Sequence, residues 1–482
     1  MRAITAVSLA AFVACAGNRP PAEHVTASDP RVAAVERALV PAFLIRGAPI
    51  DDLSLPARMA HYHVPAVSVA VVDHGALVWA KAYGVSEVGG APATTETLFQ
   101  AGSISKPVAA MVALRLVETG VLALDDDVDR KLRSWHIPAS ELRKATPITL
   151  RRLLSHTAGL NVHGFPGYAV GTPVPTVVQV LDGAPPANTA AIHVEVQPGT
   201  EHRYSGGGYT VMQQLVIDAT GRPFPEVADA LVLAPLGMTH SGYLEPLPAD
   251  RASRAATGTY KSGQRVAGRW HVYPELAAAG LWTTPSDLAR VIIELQTGHR
   301  VLSAPTTATM LTPVMQDYGL GLRIAGTGEG RRFEHGGDDA GFQAFLVGSV
   351  AGGRGAVVMT NSENGGTIAR EIVRAIAREY AWPGYPQGEI REVIAVAPDH
   401  LARYEGVFDG GNLSLGIARK DARLEAFSVG DPGDRVTLFP TSETAFFAID
   451  EPFELEFVFD HDAVTGMRIG KGPGAIELRR RR

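Results

Sequence analysis

The spacing of apolar and polar positions predicts a chain of mixed helices and strands. Two β-branched apolar runs, 66–72 and 77–83, flank a Gly-containing turn and predict a β-hairpin. From Ile104 to Gly120 apolar residues occupy nearly every helical face, which predicts a buried helix. A hairpin feeding a buried helix favours a mixed α/β architecture rather than a doubly wound sheet. Further elements are predicted as helices at 34–44 (kinked at Pro41), 53–63, 210–220 and 367–380, and strands at 344–350 and 355–361.

The pattern of apolar and polar residues changes at Pro398. Beyond it, short alternating runs are separated by Gly, Pro and Asp turns, which predicts a small all-β module, either a sandwich or a barrel. The predicted organisation is a signal segment at 1–17, a tether with a helix at 18–50, a main domain at 51–385, a linker at 386–397 and an all-β domain at 398–482.

The first residues predict export. One positive charge precedes an apolar run that is too short for a membrane span and is typical of a secretory signal. Cys15, the one cysteine of the chain, lies where such a signal is cut, and its context resembles the lipid-accepting cysteine of bacterial lipoproteins. Cleavage after Ala16 is the alternative. We therefore expect either a lipoprotein anchored to a membrane through Cys15 or a periplasmic or secreted protein.

Composition narrows the classes of function. With 46% hydrophobic and 20% charged residues the chain can bury a large core, and a net charge of −6 without a long basic run excludes nucleic-acid binding. His61 and His63 form the closest histidine pair, but a two-residue spacing on a helix directs side chains to different faces. We expect no metal and no cofactor, a small-molecule or peptide substrate, and an undetermined oligomeric state.

The start of the buried helix carries candidate chemistry. Ser103 and Lys106 are three residues apart and so share a helix face. A hydroxyl becomes a nucleophile when a base takes its proton, and burial at a positive helix end favours a neutral amine that can do so. The pair therefore predicts an acyl-transfer site. In the alternative, Ser103 only caps the helix and Lys106 extends its amine to solvent.

Other polar positions are candidates to complete such a site. Tyr204 precedes Ser205 and three glycines, and a phenol close to Lys106 could relay protons, although a packed tyrosine explains the same pattern. The strand edge at 335–337 could present backbone N–H groups to a carbonyl. His156, in a turn after a short helix, is expected to be structural. The Pro- and Gly-rich segment 161–197 is expected to shape a cleft.

These blocks, in their order along the chain, resemble the serine β-lactamase-related hydrolases: class C β-lactamases, D-Ala-D-Ala carboxypeptidases, D-aminopeptidases and related esterases. The resemblance implies an α+β fold, in which helices flank an antiparallel sheet beside a mainly helical subdomain. The C-terminal module resembles the small lipocalin-like barrel appended to some members. The blocks are Ser103-Ile-Ser-Lys106, Leu154-Ser-His-Thr-Ala-Gly-Leu160, Pro198-Gly-Thr, Tyr204-Ser-Gly206, Leu236-Gly-Met-Thr, Gly280-Leu-Trp-Thr-Thr and His335-Gly-Gly337.

The resemblance also implies roles. Ser103 would be the acylated nucleophile, Lys106 its base or proton relay, and Tyr204 would share the base role and activate the deacylating water. The block His335-Gly-Gly337 matches the family's Lys-Thr-Gly. The oxyanion hole would consist of the backbone N–H groups of Ser103 and Asp338.

Two departures from the family pattern bear on the substrate. Gly206 stands where the family has an asparagine, and Asn161 and His163 are the candidates to replace that amide. His335 stands in place of a lysine, and an ordinary histidine is mostly neutral at pH 7. We therefore expect an ester- or amide-cleaving serine hydrolase of peptidase or esterase type, with weak or no β-lactamase activity. The alternative is a catalytically silent penicillin-binding or cell-wall-binding protein of the same fold.

Overall fold

The computed structural model describes residues 29–48, 52–410, 413–470 and 475–481. The predicted signal segment and Cys15 lie outside these residues, so export and lipidation remain predictions from the sequence. Among the described residues, no helix has both the length and the apolar character needed to cross a membrane.

Most helices lie in the main domain. In chain order the helices are α1 Pro30–Arg37, α2 Leu55–His61, α3 Ser105–Glu118, α4 Leu150–Leu154, α5 Val177–Asp182, α6 Gly206–Thr220, α7 Phe224–Ala228, α8 Ala234–Leu236, α9 Ala249–Ala252, α10 Leu276–Ala279, α11 Pro285–Ile293, α12 Ala304–Met310, α13 Gly365–Glu379 and α14 Pro398–Ala402. The longest are α3, α6 and α13, with 14, 15 and 15 residues.

The strands fall into one large sheet, three small ones and a barrel. They are β1 Phe43–Ile45, β2 Ala66–Asp73, β3 Ala76–Gly84, β4 Phe99–Gln100, β5 Tyr168–Ala169, β6 Gly242–Tyr243, β7 His271–Val272, β8 Leu281–Thr283, β9 Arg323–Ala325, β10 Arg332–Asp339, β11 Phe342–Ser349, β12 Gly355–Thr360, β13 Glu389–Arg391, β14 Gly406–Gly410, β15 Leu413–Lys420, β16 Arg423–Ser428, β17 Asp431–Pro440, β18 Ala445–Phe447, β19 Glu454–Asp460, β20 Ala463–Ile469 and β21 Ile476–Arg480.

The main domain is built on a six-stranded antiparallel sheet of order β3-β2-β12-β11-β10-β9. Side chains alternate between the faces of a strand. Along β2, Val67, Val69 and Val71 therefore pack with α13 on one face, whereas Ala66 and Ala70 join the core formed with α3 and α11 on the other. Both faces are covered by helices, so the predicted α+β fold and the hairpin β2–β3 are confirmed.

The C-terminal domain is a closed barrel of eight strands, β14 to β21, in which each strand pairs antiparallel with the next. The pairing of β14 with β21 closes the barrel, which leaves no open edge. Its interior is filled with aromatic and aliphatic side chains, among them Tyr404, Phe408, Phe446 and Phe457. The predicted all-β module is thus a barrel with up-and-down connections rather than a sandwich.

Two sets of contacts attach the barrel to the main domain. In the first, β1 pairs in parallel with β13, and the Arg391 side chain joins Phe43 of β1 to Glu454 of the barrel. In the second, barrel residue Asp450 pairs with His61 Nε2 at 2.8 Å, and its carbonyl oxygen accepts a 2.8 Å hydrogen bond from Thr367 Oγ1. We name these the strand contact and the loop contact.

The N-terminal helix and the linker differ from the sequence prediction. The helix predicted at 34–44 is wrong: α1 spans Pro30–Arg37, because Asp29 caps it and Pro41, which lacks an N–H, cannot continue a helix. Residues 43–45 form β1 instead, since β13 offers a partner that is distant in sequence. The predicted linker 386–397 therefore contains a paired strand.

The helix predicted at 210–220 also begins earlier. α6 starts at Gly206, because the Ser205 hydroxyl accepts a hydrogen bond from the Gly208 N–H and caps the helix. The three glycines form its first turn, although glycine is a poor helix former, because they are buried against neighbouring segments.

A buried ion pair connects α2 to α13. The Arg58 guanidinium donates two hydrogen bonds to the Glu371 carboxylate, at 2.9 and 2.7 Å, and the two residues are 4% and 0% exposed. We expect Glu371→Gln to lower the free energy of unfolding by about 3 kcal/mol, because it leaves the Arg58 charge buried without a counter-charge. Urea unfolding followed by tryptophan fluorescence measures this change.

The matched control is Glu379→Gln on the same helix, which removes an exposed ion pair with Arg378. Such pairs contribute about 1 kcal/mol or less. Equal effects of the two substitutions would contradict a special role for the buried pair.

Candidate active site

A tight turn brings Ser103 against the sheet. Residues Gly102–Ile104 form one turn of 3-10 helix that leads into α3. Gly102 has φ +50°, and a Cβ atom there would lie 2.3 Å from the backbone nitrogen of Asp338 on β10. Only glycine fits this contact without displacing the backbone. The turn is therefore pressed against the strand that the sequence proposed as the other half of an oxyanion hole.

Ser103 and Lys106 are in direct contact. Lys106 Nζ donates hydrogen bonds of 2.9 Å to Ser103 Oγ and of 2.9 Å to the carbonyl oxygen of Ala278 on α10. Lys106 is 2% exposed, whereas Ser103 is half-buried. The amine is thus fixed at two points in the protein interior, while the hydroxyl beside it is open to a cavity.

That cavity has a volume of about 310 Å³. It brings together four residues that the sequence proposed for catalysis or the oxyanion hole, Ser103, Tyr204, Gly337 and Asp338, and also His163, a candidate to replace the missing amide. The Tyr204 ring centroid lies 5.0 Å from Lys106 Nζ. The remaining lining residues are Gly336, Gln343, Ala344, Phe345, Gly366 and Arg370.

His335 lies on β10, in agreement with the predicted strand block, but its side chain does not line the cavity. It is 8% exposed, and it is absent from the cavity wall that its neighbours Gly336 and Gly337 line. Its Nδ1 lies 2.6 Å from the Gly336 carbonyl oxygen, so Nδ1 carries the proton and Nε2 accepts a 2.9 Å hydrogen bond from the Tyr318 hydroxyl. Burial, and then the nearby Lys106 charge, lower the pKa of His335 to about 4. His335 is therefore neutral at pH 7 and engaged by Tyr318.

Gly206 also differs from its expected position. It is buried, and a Cβ atom there would lie 2.9 Å from the Phe165 ring and 3.1 Å from the His163 carbonyl oxygen. The Gly206 N–H donates to that same oxygen at 2.9 Å. The start of the segment 161–197 thus occupies the space that a side chain at position 206 would need, and Gly206 does not line the cavity.

The structure distinguishes Asn161 from His163, the two residues proposed to replace the missing asparagine amide. The Asn161 side chain is committed to the fold, since it donates to the Ala191 carbonyl oxygen and accepts from the His193 N–H, both at 2.8 Å. His163 lies on the cavity wall with its ring 4.8 Å from that of Tyr204. Burial, and then the Lys106 charge, lower the pKa of His163. A neutral imidazole is therefore available at the cavity, where an amide was expected.

Burial also raises the pKa values of two carboxyl groups behind the site. Burial raises the pKa of Asp339 well above its ordinary value, and the adjacent Asp338 carboxylate raises it further. Burial raises the pKa of Glu275, which precedes α10, to about 8. Within the described residues, neither carboxyl has a hydrogen-bond partner. The interior around Lys106 thus disfavours charge on both the carboxyl groups and the imidazoles.

The sequence did not single out Arg370. It follows Gly366 by one turn of α13, so both face the cavity, and its guanidinium lies 4.1 Å from the Phe345 ring centroid. Arg370 is exposed, and none of the carboxylates that the structure describes lies within ion-pair distance of it. The helix was predicted, but a helix prediction alone does not say which arginine faces a cavity.

The described geometry supports a definite chemistry. Covalent acyl transfer needs a nucleophile, a base and donors for an oxyanion. The site offers the Ser103 hydroxyl with the Lys106 amine at 2.9 Å, a phenol beside that amine, and the edge of β10 against the turn that carries Ser103. Among the residues that the structure describes, no group of three or more His, Cys, Asp or Glu side chains is arranged to hold a metal ion.

Comparison with known proteins gives consistent matches. A family model described as Beta-lactamase matches residues 54–381. Esterase EstB of Burkholderia gladioli is 32% identical over 214 residues, 41% of this chain and 54% of the esterase. Penicillin-binding protein 4* of Bacillus subtilis is 24% identical over 430 residues, 82% of this chain and 90% of that protein.

A solved structure extends the match to the barrel. The octameric penicillin-binding protein homologue from Pyrococcus abyssi superposes with a TM-score of 0.57 at 22% identity, covering 87% of this chain and 97% of that one. At this identity the likeness concerns the fold.

The depressed pKa of His335 predicts a loss of stability in acid. Between pH 6.5 and 4 the unfolded chain binds a proton at this histidine that the folded chain does not, so stability falls as the pH is lowered through this window. A shift of this size corresponds to about 3 kcal/mol at pH 4. We expect His335→Gln, which keeps an acceptor for Tyr318, to lose less stability than the wild type between pH 7 and pH 4.

Urea unfolding at pH 7, 5.5 and 4 measures this difference. The control is His136→Gln, a histidine whose side chain is 63% exposed. If His335→Gln and the wild type lose the same stability over this range, His335 is not the buried base described above.

Proposed function

The chain belongs to the Beta-lactamase family, a family of serine hydrolases, and we propose that it cleaves an ester or amide through an acyl-enzyme on Ser103. The observation that carries the proposal is the 2.9 Å contact between Ser103 Oγ and Lys106 Nζ at the floor of an open cavity. A catalytically silent binding protein would not require this contact.

In the acylation step, Ser103 Oγ attacks the substrate carbonyl carbon while its proton passes to Lys106 Nζ, 2.9 Å away, which accepts it in its deprotonated form. The hydrogen bond from Lys106 to the Ala278 carbonyl oxygen keeps the amine directed at the hydroxyl. The carbonyl oxygen becomes an oxyanion, and the backbone N–H groups of Ser103 and Asp338, two residues that line the cavity, are the groups proposed to stabilise it. When the carbonyl reforms, the bond to the alcohol or amine breaks, and the leaving group takes the proton.

In the deacylation step, water attacks the ester carbon of acylated Ser103 and releases the acid. Tyr204 is the group proposed to take a proton from this water, because its ring lies against Lys106 and it lines the same cavity. As it does so, the phenol gives up its own proton to Lys106, and Lys106 passes a proton to the departing Ser103 Oγ, which restores both hydroxyls.

The cavity favours esters and amides over β-lactams. The strand position at which a lysine would hold a substrate carboxylate is His335, which is buried and neutral. The position of the expected amide is Gly206, which the segment 163–165 covers. Both contacts that would hold a penicillin-like substrate beside Ser103 are therefore missing. The similarity to an esterase and to a penicillin-binding protein is compatible with this substrate class.

Arg370 supplies a cation elsewhere on the wall. Its guanidinium projects from α13 beside Gly336 and Phe345, with Nη2 3.8 Å from a Cβ atom placed on Gly336. An exposed guanidinium without a carboxylate partner is suited to bind a carboxylate in two-pronged geometry. We therefore propose that preferred substrates carry an anionic group on the side of the reacting carbonyl that faces α13.

Covalent labelling tests the acyl-enzyme. We expect the wild type to gain the mass of one fluorophosphonate adduct, and Ser103→Ala to gain none and to lose at least about a thousandfold in p-nitrophenyl ester hydrolysis. Intact-protein mass spectrometry and absorbance at pH 7.5 provide the two measurements. Nitrocefin turnover by the wild type is expected to be slow beside ester turnover.

Ser262→Ala, an exposed serine, is the control and should be labelled like the wild type. Absence of an adduct on the wild type would support the silent binding protein instead. Nitrocefin turnover at the rate of a class C β-lactamase would contradict the proposed substrate class.

A pair of matched esters tests Arg370. We expect Arg370→Gln to raise KM about tenfold for the p-nitrophenyl monoester of a dicarboxylic acid such as glutarate, because a charge-assisted hydrogen bond is lost. KM for p-nitrophenyl butyrate should change little. Arg378→Gln, further along the same helix and directed at the Ala38 carbonyl oxygen, is the control. An equal change for both esters would refute the proposed anion contact.

A further inference from the structure

His156 forms hydrogen bonds with the backbone on both sides of Tyr204. Its carbonyl oxygen accepts a 2.8 Å hydrogen bond from the Arg203 N–H, and its Nδ1 accepts a 3.0 Å hydrogen bond from the Ser205 N–H. Residues 203 and 205 are the immediate neighbours of Tyr204. The two bonds therefore fix the chain direction on either side of the phenol.

The imidazole also contacts the phenol itself. The ring centroids of His156 and Tyr204 are 4.1 Å apart, with 30° between the ring planes. His156 is 2% exposed and cannot move away into solvent. The same ring thus holds the Tyr204 side chain and, through Nδ1, its backbone.

The conformation of His156 is an uncommon one. Its φ of +56° lies in the left-handed region, which few residues other than glycine adopt. Its Nε2 is buried and has no hydrogen-bond partner among the described residues. Both features reduce stability, and such features persist where the surrounding structure fixes a residue for a function.

The hydrogen bonds also define the protonation state. Because Nδ1 accepts from the Ser205 N–H, it carries no proton, and the neutral ring holds its proton on Nε2. Burial, and then the Lys106 charge, lower the pKa of His156 well below its ordinary value, so the bond to Ser205 is intact at neutral pH. The titratable groups that face this ring from the surrounding elements are Lys106, His163, His202, His335, Tyr204, Tyr209 and Tyr318.

We propose that His156 is a positioning residue that holds the Tyr204 phenol beside Lys106 for the proposed reaction at Ser103. This inference rests on the proposed function, since it assigns His156 a role through Tyr204. His156 itself touches neither the cavity nor the reacting atoms. His156 thus combines two hydrogen bonds to the backbone neighbours of Tyr204, one accepted by its carbonyl oxygen and one by Nδ1, with a ring contact to the phenol.

His156→Asn is the discriminating variant. Asparagine tolerates the left-handed conformation, and its Oδ1 can take over the hydrogen bond from the Ser205 N–H, so only the ring contact is removed. We expect kcat/KM for a p-nitrophenyl ester to fall about tenfold, mainly through kcat, because the phenol is no longer held in place. His156→Gly also loses the acceptor and should fall further.

His74→Asn is the matched control. His74 also has a positive φ, +51°, but it is exposed in the turn between β2 and β3. It should leave kcat/KM unchanged. Thermal unfolding of each variant checks that His156→Asn remains folded, and wild-type kcat/KM in His156→Asn would overturn the inference.

A double-mutant cycle with Tyr204→Phe separates positioning from a general structural role. If His156 acts through the phenol hydroxyl, His156→Asn costs little further kcat/KM in a chain that already lacks this hydroxyl. If the two losses multiply, His156 does not act through Tyr204 and the inference fails. Failure of the proposed function appears elsewhere, as full ester hydrolysis by Ser103→Ala or as wild-type rates in Tyr204→Phe.

Discussion

The catalytic domain depends on keeping the amine of a lysine in the protein interior next to a serine hydroxyl. An amine in such surroundings needs hydrogen-bond partners, because an unsatisfied polar or charged group is costly to bury. Lys106 obtains them from Ser103 in its own first turn and from Ala278 on α10. The contact of Gly102 with β10 holds that first turn in place. The position of this one nitrogen atom therefore depends on α3, on the turn before it and on α10, and β10 supports that turn.

The titratable side chains near Lys106 Nζ form two groups, an inner zone of histidines and an outer zone that holds an arginine. In the inner zone, burial and the lysine's own field keep His156, His163 and His335 in their neutral forms, so they contribute hydrogen bonds and ring contacts without competing positive charge. In the outer zone, the Arg370 guanidinium is open to solvent on the cavity wall. The residue proposed for proton transfer, Lys106, and the residue proposed to attract the substrate, Arg370, are thus separate.

The sequence predicts the parts of this fold that are encoded locally. The hairpin β2–β3, the buried helix α3 and the alternating runs of the barrel follow from apolar spacing, and the order of short motifs predicts that Ser103 is the nucleophile. Contacts between distant segments decide the rest. β1 exists because β13 is available to pair with it, and Gly206 is explained by Phe165 and the His163 carbonyl oxygen. Neither partner can be found from spacing along one sequence, and nor can the direction in which Arg370 points.

The two attachments of the barrel have a mechanical consequence. A domain joined by a single linker can swing freely, whereas the strand contact and the loop contact hold this barrel at separate points. The loop contact ends on Thr367, which is the neighbour of Gly366 on the cavity wall. A force or a ligand that displaced the barrel would therefore pull on the first turn of α13. The barrel is thus tied to the cavity wall through Thr367, in addition to its connection with β1 through β13 and Arg391.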